Sequence, residues 1–297
     1  MVKFNVRKQG ELITPSGIKV GLLSLLGKHQ ALITNQSDKK RLSGFEEMLF
    51  DCIDYIGEKS KDKLTKKDIL RLLETDRKAI LFKLRQLSNN DNSEFIFDYE
   101  FPTENGQKLK DRKVVDFNNE NFPIKPFSWV LDQMKTSYML KYKLKNLNDD
   151  QIQDVLKEDI PEMFDSYDDI LNKYQIQEFK LPECGIKVSW KLLTAEGSTK
   201  FQGIISEDNV NSHTQIQMHS PTYVNEELSK GRENPVNQPV PLDDLGLLDI
   251  EALRKNIIEV EGSVDSSIVV QYKNDVRKQQ QLDLVTMPAF FFPSLAI

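Results

Sequence analysis

Cysteine is scarce in this chain: Cys52 and Cys184 are the only two in 297 residues, far apart and in no C-x-x-C setting. That excludes a disulfide framework and a cysteine-ligated zinc knuckle, and it suits a reducing compartment. Histidine is almost as rare, with His29, His213 and His219. His213 and His219 lie six apart in a polar stretch, not at the i, i+4 spacing of a helical zinc pair, so all three read as surface or loop residues. The chain carries no G-x-G-x-x-G, no Walker loop and no G-x-S-x-G, which removes the common phosphate-cradling and acyl-transfer signatures. No long apolar run is present either. The longest tract, Met287 to Ile297, is broken by Pro288 and Pro293 and is too short to cross a bilayer. Residues 1–10 have no apolar core of the secretory kind, so a soluble protein made in a cytoplasm is expected. With a formal net charge of −6, the chain does not have the basic excess of a phosphate-neutralising nucleic-acid coat.

What is present is a polar but foldable balance, 39% hydrophobic and 29% charged, over a length that exceeds one typical domain. Within it one small module is written twice. Ser16-Gly17-Ile18-Lys19-Val20 returns as Cys184-Gly185-Ile186-Lys187-Val188, an offset of 184 − 16 = 168. A helical segment from Asp76 and a strand-like run to Tyr99 return as a helix from Asp249 and a run to Tyr272, at 249 − 76 = 173. Asp76/Asp249, Ala79/Ala252 and Tyr99/Tyr272 are the shared identities.

Periodicity supplies the rest of the fold reading. Phe45, Met48, Leu49, Cys52, Ile53 and Ile56 recur at three and four, predicting an amphipathic helix to Gly57. Thr65 and Asp68 resemble a capping box that opens a short helix through Leu73. Phe95, Phe97, Tyr99 and Phe101 alternate ahead of a Pro102–Gly106 turn, the pattern of a hairpin. Between about 118 and 176 a helix over 127–147 and a strongly acidic helical stretch read as a spacer. The expected architecture is α+β: two similar small modules of short antiparallel strands with packed helices, residues 1–120 and 177–297, joined by a helical acidic spacer over 121–176.

Candidate contacts follow from charge and exposure. Asp165, Asp168 and Asp169 end the acidic stretch and read as a solvated helix face or as a contact for a basic partner; the stretch lacks the glycine and terminal glutamate of a calcium loop. The lysine run 59–67 has no interleaved aromatics, so it fits a solvated loop or a protein contact better than nucleic acid. Phe290, Phe291 and Phe292 would form a large exposed patch unless covered. They either close the core of the C-terminal module or dock into a neighbouring subunit as anchors. A carboxylate site built on Asp243, Asp244 and Asp249 is the enzymatic alternative, and it requires buried carboxyls with raised pKa. No cofactor or metal is expected.

Residues 64–88 resemble the helical signature of the T-even-type bacteriophage baseplate protein family. There a D-x-x-x-I-x-x-x-L-R-x-x-S pattern follows an amphipathic helix, as Asp76, Ile80, Leu84, Arg85 and Ser88 do here. The Thr14-Pro15-Ser16-Gly17 turn before Ile18-Lys19-Val20 also fits that family, and the likeness covers about residues 1–120. In place of the family's arginine-rich stretch after the first turn stands Gly21 to Leu26. The resemblance implies a non-enzymatic part of the hub or wedge of a contractile tail. It would be made in the host cytoplasm and carried in the virion, with other tail proteins or copies of itself as partners. An assembly chaperone that leaves the finished particle is the alternative.

Overall fold

The computed structural model describes residues 7–34, 38–89, 94–102, 108–116, 123–202, 212–272 and 275–291. It is α+β, as expected. Strands β1 (Gln9–Ile13) and β2 (Lys19–Leu23) form a hairpin through the Thr14–Gly17 turn. Gly17 at φ +86° supplies the left-handed residue that the turn requires. Helices α1 (Gly27–Thr34) and α2 (Asp38–Cys52) follow, and then β3 (Ile53–Ile56) and β4 (Lys59–Ser60) complete a sheet of order β1-β2-β3-β4. The helix expected through Ile56 therefore stops at Cys52. The reason is tertiary: Ile53 and Ile56 fall opposite Leu22 and Val20 in the ladder, and the same apolar pair serves strand or helix.

Helix α3 (Lys66–Leu70) opens on the expected capping box, with the Thr65 N–H donating to Asp68 Oδ2 at 2.7 Å. It ends at Leu70, short of Leu73, because Leu73 becomes the N-cap of α4 (Glu74–Ser88). The hairpin β5 (Glu94–Pro102) and β6 (Lys108–Asp116) closes this half, with Phe95, Phe97 and Tyr99 buried.

The segment read as a spacer holds β7 (Ile124–Lys125), α5 (Ser128–Tyr142), α6 (Asp149–Val155) and α7 (Tyr167–Tyr174). It lies against the first hairpin. Trp129 Nε1 donates to the Ser16 carbonyl at 3.2 Å, and the Met163 N–H donates to the Gly17 carbonyl at 2.7 Å.

The second half repeats the first. Strands β8 (Ile176–Lys180) and β9 (Lys187–Lys191) form a hairpin, and helices α8 (Ala195–Gln202) and α9 (Ser212–Gln217) follow. Then β10 (Thr222–Val224), a short α10 (Glu226–Ser229) and β11 (Asn237–Pro239) complete a sheet of order β11-β10-β9-β8. Helix α11 (Leu247–Glu261) leads to β12 (Ser263–Val264), which pairs with β7, and to the hairpin β13 (Ser267–Tyr272) and β14 (Asp275–Asp283). The bounds of β9 and α8 are those of β2 and α1 moved by 168 (187 − 19, 195 − 27). Those of α11 are the bounds of α4 moved by 173 at both ends (247 − 74, 261 − 88).

The described residues end in α12 (Pro288–Phe291), and Phe290 and Phe291 are fully buried. They are covered within the chain, but by the first half rather than by the core of the C-terminal module. Phe291 meets Phe45 edge-on at 5.6 Å between ring centres, and Phe290 meets Phe82 at 5.3 Å and Phe95 at 5.8 Å. One hydrophobic core therefore runs through both halves. Phe292 lies outside the described residues. Replacing Phe290 with Ala should lower the unfolding free energy by about 4 kcal/mol in urea denaturation. Leu140→Ala, at a position 75% exposed, should leave it unchanged within about 0.5 kcal/mol.

Candidate functional site

The polar residues with chemical potential are assembled first at the two hairpin turns. Asp76, at the third position of α4, accepts from the Ser16 N–H at 2.9 Å, Ser16 Oγ at 2.6 Å and the Tyr167 hydroxyl at 2.8 Å. Its carboxyl is buried, and burial pushes its pKa up to about 6 against those donors. Asp249, at the third position of α11, accepts from the Glu183 N–H at 2.7 Å and the Cys184 N–H at 3.0 Å. Burial alone would raise its pKa, but the two N–H donors outweigh it and hold the carboxyl below its ordinary value. The two aspartates do the same work on equivalent turns. A second bond is shared as well. The Leu25 N–H donates to Ser88 Oγ at 2.8 Å, and the Leu193 N–H donates to Glu261 Oε1 at 2.6 Å, between positions related by the same two offsets.

The three carboxylates of the enzymatic alternative do not form one buried group. Asp249 is committed to a turn, Asp244 is exposed, and the Asp243 side chain is 97% exposed and pairs with His213 at 3.2 Å. The histidine expectation is corrected, because two of the three are inside. His29 is fully buried: its Nδ1 accepts from the Leu26 N–H at 2.9 Å, so the ring proton sits on Nε2, 2.8 Å from Asp51 Oδ2. His29, Asp51 and Cys52 offer ligand atoms within 4.8 Å of one another. Yet Lys28 and Arg7 already hold Asp51 at 3.0 Å each, and Arg7 also donates to Cys52 Sγ at 3.0 Å. Burial pushes the Cys52 thiol up to about 11, so in this setting it stays protonated near neutral pH. The Arg7 guanidinium donates to both Asp51 and Cys52, two of the three residues of that group.

Asp165 and Asp168 come together in a cleft of about 230 Å³ with Lys59, Asp68, Arg71 and Tyr167. Four carboxylates line it, those of Glu58, Asp68, Asp165 and Asp168, against two cations; Lys59 pairs with Asp68 at 2.6 Å and Arg71 with Asp168 at 2.7 Å. The end of the acidic stretch thus meets Arg71, which lies beyond the lysine run, in a pairing that no local pattern signals. Asp169 is exposed on α7, away from that cleft.

Sequence reasoning missed the junction between the halves. Leu73 bridges Thr194 in antiparallel fashion, the Glu74 N–H donates to the Leu193 carbonyl at 2.9 Å, and the Ala195 N–H donates to the Leu72 carbonyl at 2.7 Å. Thr75 Oγ1 reaches the Glu261 carbonyl at 3.3 Å, and the Tyr99 hydroxyl donates to the Gln271 carbonyl at 3.0 Å. The only available signal was the offset itself, which places Glu261 opposite Ser88 as a residue able to accept the same hydrogen bond. Burial, reinforced by the charge of Glu74, pushes the Glu261 carboxyl up to about 8. His219 lies 3.4 Å away, but burial pushes it down to about 4, so it is neutral and offers no compensating charge.

No family model, curated protein or solved structure matches this chain.

The junction predicts a pH dependence. An unfolded Glu261 loses its proton near the ordinary 4.5, whereas the folded chain keeps it to about 8. The folded state holds the extra proton between those values, so this contribution to stability is full below 4.5 and falls as pH rises through 8. Glu261→Gln keeps the acceptor for Leu193 and carries no charge. Its melting temperature should gain on the wild type steadily from pH 5 to pH 8.5; a constant difference would refute the assignment.

Proposed function

We propose that this chain is a non-enzymatic structural component of a contractile phage tail baseplate, hub or wedge, that acts by binding other tail proteins. One observation carries the reading: every residue of the Asp76–Ser88 pattern that carries the family likeness does structural work. Asp76 holds the first turn, and Ile80 and Leu84 are fully buried. Arg85 lies 5.8 Å from the Phe290 ring, and Ser88 caps the start of the segment after β2. A pattern whose residues go into packing and turn contacts supports a scaffold role. Its use twice in one chain suits a part that presents surfaces to neighbours in register.

The mechanism is assembly by shape and apolar contact, with matched charges setting orientation. The described residues contain no helix long and apolar enough to cross a membrane. Partners are other tail proteins or copies of the chain, and the finished location is the virion, assembled in the host cytoplasm.

Mass spectrometry of purified particles from the phage encoding this chain tests the proposal. Stoichiometric presence with other tail proteins is the expected result. Absence from particles, with tails failing to form when the gene is deleted, would instead identify an assembly chaperone. Absence together with normal tails would overturn both readings.

A further inference from the structure

The junction between the halves is head-to-tail. The start of α4 in the first half receives the β9–α8 corner of the second. Because the halves are equivalent, each also carries the other member of that pair of surfaces, and among the described residues neither of these is covered. In the second half the start of α11 is open: Leu247 and Leu248 are 79% and 66% exposed, where their equivalents Glu74 and Thr75 are largely buried. In the first half the β2–α1 corner is open. Gly27 is exposed with free space beyond its Cα, where its equivalent Ala195 is 1% exposed.

The backbone groups match as well. The Leu193 carbonyl and Ala195 N–H that bind α4 have their equivalents in the Leu25 carbonyl and Gly27 N–H. The Glu74 N–H and Leu72 carbonyl have theirs in the Leu247 N–H and Leu245 carbonyl. None of these four groups has a hydrogen-bond partner among the described residues. Charge agrees too. The Leu73–Thr194 register sets Arg71 opposite Glu196, and the equivalent register sets Asp244 opposite Lys28. The sign reverses on both sides, so attraction is kept, and Lys28, which also holds Asp51, is 59% exposed.

We propose that a second copy of this chain docks there, with the start of α11 of one copy seated on the β2–α1 corner of the next. The module–module junction inside the chain is thereby continued between chains. Two antiparallel backbone hydrogen bonds, Leu247 N–H to Leu25 carbonyl and Gly27 N–H to Leu245 carbonyl, would form across the contact. Leu247 and Leu248 would lose their solvent exposure against Leu25, Leu26 and the end of α4. The contact is heterologous, so it builds a ring or an open string rather than a two-fold dimer. This inference rests on the duplicated fold alone and holds whether or not the chain belongs to a tail.

Light scattering of the full chain over a concentration series tests it. The wild type should exceed the 34.3 kDa of one chain as concentration rises. Leu247→Asp with Leu248→Asp spoils one surface, and acidic residues in the first helical turn do not weaken the helix. Gly27→Arg fills the space that the other surface needs. Each variant alone should remain at one chain mass. Mixed one to one, they should give a species of two chain masses and no larger, because each supplies the surface that the other lacks. That rescue also shows that both variants are folded. A wild type that stays monomeric at the highest concentration, or either variant assembling alone like the wild type, would overturn the proposal. So would a mixture that stays monomeric while both variants melt like the wild type. If either variant melts early, Leu248→Ser and Gly27→Leu take their places under the same criteria.

Discussion

A hairpin turn exposes backbone N–H groups that its own strands cannot satisfy, and in this protein a helix some sixty residues later supplies the acceptor. Asp76 and Asp249 each stand at the third position of a fifteen-residue helix and take the N–H groups of the turn at Ser16 or Cys184. A buried N–H left without a partner is costly, so this bond fixes where the helix crosses its sheet. Everything placed by the helix, from the apolar face that fills the core to the hairpin beyond its end, inherits that position. The second shared bond, from the second residue after β2 or β9 to the last residue of the helix, fixes the other end.

With both helices pinned, the halves can meet only as the fold presents them. The first helix uses its opening turn to receive the second half, and its far side is closed by Phe290 and Phe291 from the end of the chain. That arrangement explains why the aromatic end is buried. It also explains the difference between position 85, a buried Arg against Phe290, and the equivalent Ile258, which is 52% exposed because no such segment lies on α11 among the described residues. The halves share a scaffold and differ in what covers it. The junction concentrates buried ionisable groups, Glu74, Arg77, Glu261 and His219, in one place, and there the coupling between the halves becomes sensitive to protons.

Much of this was legible in the residues, because hydrophobic periodicity and turn chemistry are local. The α+β class, the hairpin at Phe95–Tyr99, the capping box at Thr65 and the end of the second repeated helix at Gly262 follow from spacing alone, although that helix begins at Leu247 and not at the expected Asp249. The match of Asp76 with Asp249 was also visible, although nothing local said what those carboxylates hold. Other features depended on partners distant in the chain. Ile53 to Ile56 fits a helical stripe as well as a strand, and only the Val20–Leu22 ladder settles it. His29 and His219 look like polar-loop residues until their burial is seen. Asp168 and the basic run are a hundred residues apart, and only folding brings Arg71 to it.

The sequence by itself determined that the chain is α+β, that it repeats one hairpin–helix–hairpin plan at offsets of 168 and 173, and which residues form the apolar faces. Those properties live in nearest-neighbour spacing and in the chemistry of single turns. Only the tertiary structure decided that the two copies join head to tail and share one core, that the terminal phenylalanines close the first half, and that the acidic stretch lies against it. It also left Leu247, Leu248 and the Gly27 corner open among the described residues. These outcomes depend on which surfaces meet, and spacing along the chain does not encode which of two equivalent surfaces is covered.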